Sequence, residues 1–155
     1  MTRLRIATLN LRNLADRWEE RLPLLLADTA ALRPDLLGLQ EVVYPLQQDR
    51  LLAAATPDDH AIHRGWAGRP EYGNSLLVRR PLEAAWPAER LDLGGTRAAH
   101  RVVVPLGNGA SVLVAVTHLH HLVPDAAVRE EQVAALVAWV DEAPPTTAQV
   151  VMGDF

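Results

Sequence analysis

The sequence predicts a mixed α/β fold. Three observations carry that prediction. Several short apolar runs have strand length, two longer stretches have helical periodicity, and Gly107-Asn108-Gly109 is a hairpin signal between two of the runs.

The elements follow in order. Arg3–Leu11 reads as an opening strand. Leu22–Leu32 reads as a helix with Pro23 in its first turn, where a missing N–H is tolerated. Its apolar stripe includes Leu22, Leu25, Leu26 and Leu32. Pro34 biases the chain towards extended backbone, and Asp35–Val42 reads as a buried strand. Pro45–Ala55 reads as a helix. Ala61–Trp66, Asn74–Arg79, Ala84–Leu93, Ala98–Leu106 and Ser111–His118 read as strands. Asp125 is placed to cap a helix that carries Val128, Gln132, Leu136, Trp139 and Val140 on one face. Pro144-Pro145 ends it, and Gln149–Met152 begins a last strand before Gly153-Asp154-Phe155.

The chain has 155 residues, one domain's worth, with no internal repeat. Hydrophobic residues are 49% and charged residues 22%, close to the soluble average, which argues against disorder. No apolar stretch is long enough to span a bilayer. The opening Met-Thr-Arg-Leu-Arg-Ile lacks an apolar signal segment, so a cytoplasmic location is expected. The absence of cysteine excludes disulfides and thiolate metal sites. There is no lysine, and the net charge is -4. That balance argues against a non-specific nucleic-acid coat, but it is compatible with an enzyme that handles phosphate esters through a metal.

Candidate site residues emerge from the two-residue strand period. Ile6, Thr8 and Asn10 share a face, as do Leu37, Leu39 and Glu41. So do Val112, Val114, Val116 and His118, and then Val150, Met152 and Asp154. Each set ends in a polar residue. Taken singly, Asn10 reads equally as a strand terminator, Glu41 as a solvated strand end, His118 as a hydrogen-bonded core histidine and Asp154 as a turn residue. As a set, four polar tips on buried strands point to one shared site at a sheet edge, because an unpaired carboxylate there is costly. Oxygen donors such as Glu41 and the Asn10 amide suit Mg²⁺ or Mn²⁺.

That ordered set resembles the endonuclease/exonuclease/phosphatase superfamily, the DNase-I-like phosphoesterases. The resemblance is carried by Ala7-Thr8-Leu9-Asn10-Leu11, by Pro34-Asp35 through Gln40-Glu41-Val42, and by Tyr72-Gly73-Asn74-Ser75. It continues in Thr117-His118-Leu119, Arg129 with Gln132, and Gly153-Asp154-Phe155. It implies the N-terminal part of a four-layer α/β sandwich, whose mixed, largely antiparallel sheet is flanked by helices. It also implies a Mg²⁺- or Mn²⁺-dependent phosphoesterase acting on a small molecule or a nucleic acid. Glu41 would be the principal metal ligand, with Asn10 close to metal and phosphate. His118 would hydrogen-bond a phosphate oxygen, Asp154 would orient or activate the attacking water, and Asn74 would lie near the site. Glu71 is a candidate partner for His118. Arg129 and Gln132 are candidate braces, and His120 and His121 are candidate pocket residues.

The resemblance runs out at Phe155. The Asn that follows Gly-Asp-Phe in the family, and the later Ser-Asp-His segment, have no counterpart here. Residues 1–155 thus resemble a partial domain, and hydrolysis is expected to be severely impaired. The inner face of the first sheet is expected to lie uncovered, inviting instability or self-association. The alternative is a non-catalytic interaction or nucleotide-binding module that keeps half of the fold.

Overall fold

The computed structural model describes residues 3–82 and 88–155. Its apolar runs form two four-stranded sheets. The first contains β1 (Ile6–Asn10), β2 (Leu36–Val43), β3 (His60–Gly65) and β4 (Tyr72–Arg79), in the order β1-β2-β4-β3. The second contains β5 (Glu89–Gly94), β6 (Arg97–Gly107), β7 (Ala110–His118) and β8 (Ala148–Asp154), in sequential order. Among the described strands, only β1–β2 and β7–β8 pair in parallel. Parallel neighbours need a crossover. The crossovers are α1 (Trp18–Leu32) between β1 and β2, and α3 (Ala126–Asp141) between β7 and β8. A shorter helix, α2 (Gln48–Ala54), follows β2.

The burial pattern explains why the sheets stack. Leu36, Leu76 and Val78 of the first sheet pack on Val102, Val104, Val112, Val114, Val116 and Met152 of the second. On the far side of the first sheet, Leu37, Leu39, Val42 and Leu77 meet Leu25 and Leu26 of α1 and Leu52 of α2. On the far side of the second, Ala99, Val103, Leu113 and Ala115 meet Leu136 and Val140 of α3. The result is four layers: helices, sheet, sheet, helix. Gly38 and Gly65 let the sheets approach. A Cβ at Gly38 would lie 2.6 Å from Met152 Sδ, and one at Gly65 would lie 2.5 Å from His100 Nδ1.

This stacking corrects one expectation. The inner face of the first sheet is not left bare, because residues 88–155 supply a second sheet that covers it. The expected instability and self-association through that face lose their premise.

Smaller differences have local causes. Helix α1 begins at Trp18 rather than Leu22, anchored by burial of the Trp18 ring, over which Arg21 lies. Pro23 therefore sits inside the helix rather than in its first turn. Asp125 stands at the N-cap position of α3 but makes no cap bond; its Oδ2 lies 2.7 Å from His120 Nε2 instead. Val128 is 41% exposed, so the buried face of α3 is Gln132, Leu136 and Val140. Of the expected strand 84–93, residues 84–87 lie outside the described residues, Ala88 precedes β5, and 89–93 fall in it. The hairpin signal is met by left-handed backbone at Gly107, Asn108 and Gly109. No helix among the described residues is long and apolar enough to cross a membrane.

Candidate active site

The ends of β1, β2, β7 and β8 meet at one edge of the sandwich. Asn10 is the last residue of β1, and its Nδ2 donates to Asp154 Oδ2 at 2.7 Å and to Glu41 Oε1 at 3.0 Å. The two carboxylates thus share one amide group. His118 Nε2, at the end of β7, lies 3.9 Å from Asp154 Oδ2. The structure brings Asn10, Glu41, His118 and Asp154 together, although 144 positions of sequence separate the first from the last.

Glu41 reaches this cluster by a route that simple alternation does not give. Leu37 and Leu39 face the helices, so a regular strand would send Glu41 outward with them. Instead the register of β2 against β4 shifts between Leu39 and Val42, and Glu41 adopts a left-handed φ of 56°. Val42 takes the helix-facing place, and Glu41 turns towards Asn10. A bulge of this kind re-aims a side chain. The expectation that Leu37, Leu39 and Glu41 share a face is thereby corrected.

Three residues that sequence reasoning missed complete the surround. Asn13, in the loop after β1, donates from Nδ2 to Glu41 Oε2 at 2.8 Å. Tyr72 stands beside both Asn13 and Glu41; burial first, and then the Glu41 charge, push its hydroxyl up to about 12. Arg97 Nη2 lies 2.8 Å from His121 Nδ1, and its charge reaches both Tyr72 and His118. Asn13 carried a faint signal, a second asparagine three residues after Asn10. Tyr72 opens the Tyr72-Gly73-Asn74-Ser75 segment, where only Asn74 drew a role, and Arg97 gave no signal.

Electrostatics disfavour the charged form of His118. Burial lowers its pKa first, and Arg97 lowers it further, against an opposing pull from Asp154 and Glu41. Glu71 is not among the charges acting on His118; its backbone carbonyl accepts from Tyr44 N. Asn74 is not drawn into the cluster either. It is buried and donates to the Ala98 carbonyl at 2.9 Å, tying β4 to β6, while its own carbonyl accepts from the Tyr44 hydroxyl. Gln132 is a buried brace, accepting from His120 N and donating to the Leu93 carbonyl. Arg129 donates to the Leu122 carbonyl. His121 is exposed, and His120 is half-buried against Asp125.

The donor set suits a hard divalent ion. Two carboxylates drawn to one amide carry more negative charge than their neutral partners offset. Among the described residues no group of three or more His, Asp or Glu side chains forms a cage. Mg²⁺ keeps several waters and is commonly held by one or two carboxylates, so a pair such as Glu41 and Asp154 is compatible with it. The Asn10 oxygen already accepts from Arg12 N at 2.7 Å, so the amide presents its N–H groups, not its oxygen, to the carboxylates.

The four-layer order and the two mixed sheets define a DNase-I-like α/β fold. The chain belongs to the endonuclease/exonuclease/phosphatase family, whose model matches residues 7–155. Similar solved structures agree in fold. A humanized Danio rerio TDP2 carrying 14 mutations superposes with a TM-score of 0.81 at 20% identity, covering 97% of this chain and 61% of its own. A family protein from Bacteroides thetaiotaomicron gives 0.80 at 18% identity, covering 98% and 61%. ANGEL2, a 2′,3′-cyclic phosphatase solved with adenosine-2′,3′-vanadate, gives 0.79 at 17% identity, covering 97% and 53%. The chain thus spans about three fifths or less of the length of these relatives. No curated protein matches it.

Proposed function

We propose that this chain carries the metal- and phosphate-binding part of a Mg²⁺- or Mn²⁺-dependent phosphoesterase. The observation that carries the reading is the meeting of Asn10, Glu41, His118 and Asp154 at one sheet edge. Family membership supports phosphoester chemistry. Two neighbours point the same way: a Danio rerio TDP2 solved with a single-strand DNA product, and ANGEL2.

A divalent ion at this site would withdraw charge from phosphoryl oxygens. Glu41 is the residue to hold it, because its carboxylate is fixed by two neutral amides. Asn10 holds Glu41 and Asp154 in mutual register, spending both of its N–H groups on their carboxylates. His118 donates an N–H to a non-bridging oxygen as its charge grows. Asp154, half-exposed at its side chain, accepts from and orients the attacking water. Arg97 adds positive charge on the phosphate side. Asn74 acts through the β4–β6 tie rather than on substrate. The acidic balance of the chain favours a small phosphoester over a long nucleic acid.

The test pairs binding with turnover. A thymidine dinucleotide is titrated into the chain with Mg²⁺ and with EDTA, and hydrolysis of bis(p-nitrophenyl) phosphate is followed beside Glu41→Ala. Mg²⁺-dependent binding that Glu41→Ala abolishes supports the reading, and turnover above that variant's background extends it to catalysis. Metal-dependent binding without turnover favours a nucleotide-binding module. Equal binding in EDTA contradicts both.

A further inference from the structure

Resting on that reading, we infer that Asn13 is a positioning residue that aims the Glu41 carboxylate, and that the loop between β1 and α1 is built to hold it there.

The side chain of Asn13 is used at both ends. Its Oδ1 accepts from Leu14 N at 2.5 Å and from Ala15 N at 3.0 Å, which closes a local turn. Its Nδ2 is left to donate to Glu41 Oε2 at 2.8 Å. A short side chain with an acceptor and a donor in one plane meets both demands, and asparagine is that side chain. It also tolerates the left-handed φ of 44° that the turn imposes.

The loop is clamped from outside. The Arg21 guanidinium donates to three of its carbonyls, those of Leu11 at 2.9 Å, Ala15 at 2.7 Å and Asp16 at 3.0 Å. Gln48, fully buried, donates from Nε2 to the Asn13 carbonyl at 3.1 Å and accepts from Val43 N at 2.8 Å. One side chain therefore ties the loop to the end of the strand that carries Glu41. Left-handed backbone at Arg12, Asn13, Asp16 and Arg17 is held by these bonds rather than by regular structure.

The consequence is chemical. With Asn10 on Oε1 and Asn13 on Oε2, the carboxylate of Glu41 cannot turn about its last bond without losing a hydrogen bond. Both partners are neutral. An arginine or lysine in either place would fix the carboxylate equally well but cancel the charge that attracts a divalent ion. Outer partners of a metal-binding carboxylate commonly alter ion affinity 10- to 100-fold when removed.

The experiment compares the whole chain with Asn13→Ser and Glu41→Ala. Serine keeps a short acceptor for the turn but cannot reach Glu41. Mn²⁺ affinity is read by electron paramagnetic resonance, and the melting temperature is read separately. The inference expects Asn13→Ser to melt within a few degrees of wild type and to bind Mn²⁺ about 10-fold more weakly. If Asn13→Ser binds as wild type does while Glu41→Ala loses binding, the inference is overturned and the functional reading stands. If wild type binds no Mn²⁺, both are overturned. Should Asn13→Ser fail to fold, side-chain amide exchange decides by NMR without metal. The Asn13 amide protons are expected to exchange more slowly in wild type than in Glu41→Ala, and equal rates overturn the inference.

Discussion

Asn10 Nδ2 donates to Asp154 Oδ2 at 2.7 Å, joining the last residue of the first strand to the last residue of the eighth. The bond crosses from one sheet to the other, and the same nitrogen holds Glu41. Loss of this amide removes two hydrogen bonds to charged groups and leaves two carboxylates facing each other. Asn10→Ala is expected to cost about 1–3 kcal/mol in urea unfolding. Asn10→Asp, which adds a third carboxylate, is expected to cost more.

The bulge at Glu41 predicts an unusual pair of variants. A left-handed φ of 56° penalises any residue with a Cβ but not glycine. Glu41→Gly is therefore expected to be more stable than Glu41→Ala by about 1–2 kcal/mol. Equal stability would mean that the backbone at this position is not held left-handed.

A second steric prediction concerns the contact between sheets. Alanine at Gly65 would bring its Cβ to 2.5 Å from Nδ1 of the fully buried His100. Overpacking of this kind costs about 1–3 kcal/mol. Adding His100→Ala removes the opposing ring, so the double variant is expected to recover part of the loss relative to His100→Ala alone. A strictly additive cycle would contradict the contact.

His100 also predicts a pH dependence. Burial, followed by the nearby His63, lowers its pKa to about 3 from the ordinary 6.5. Between those values the unfolded chain binds a proton that the folded chain does not. Stability is therefore fully present above pH 6.5 and falls as pH drops towards 3, by about 1.4 kcal/mol per pH unit at the steepest. His118 is shifted in the same direction and adds to the slope. Unfolding measured from pH 7 to pH 4 is expected to show a shallower decline in His100→Leu than in wild type.

How much of this was legible in the sequence divides along physical lines. Periodicity marked the strands and the α3 helix because burial imposes it. The Gly107-Asn108-Gly109 turn was legible because positive φ restricts residue choice. Pairing was not legible. Nothing local indicates that residues 88–155 build a second sheet against the first, so the inner face was expected to be bare. The cluster of Asn10, Glu41, His118 and Asp154 was anticipated from strand-end polarity. The reason Glu41 reaches it was misjudged, since a bulge leaves no trace in alternation until a partner strand is known. Asn13 was missed because loop residues carry no period, Arg97 because a half-buried residue at the start of β6 breaks no apolar pattern, and Asn74 is spent on the Ala98 carbonyl instead of the cluster.

A divalent ion held through Glu41 at the polar tips of β1, β2, β7 and β8 would bind the folded chain and stabilise it. Chemical unfolding across a Mg²⁺ titration is the decisive measurement. Wild type is expected to gain stability saturably, about 2.7 kcal/mol when Mg²⁺ exceeds its dissociation constant a hundredfold, and Glu41→Ala is expected to gain none. Equal stabilisation of both proteins, or of neither, refutes the assignment of the ion to Glu41.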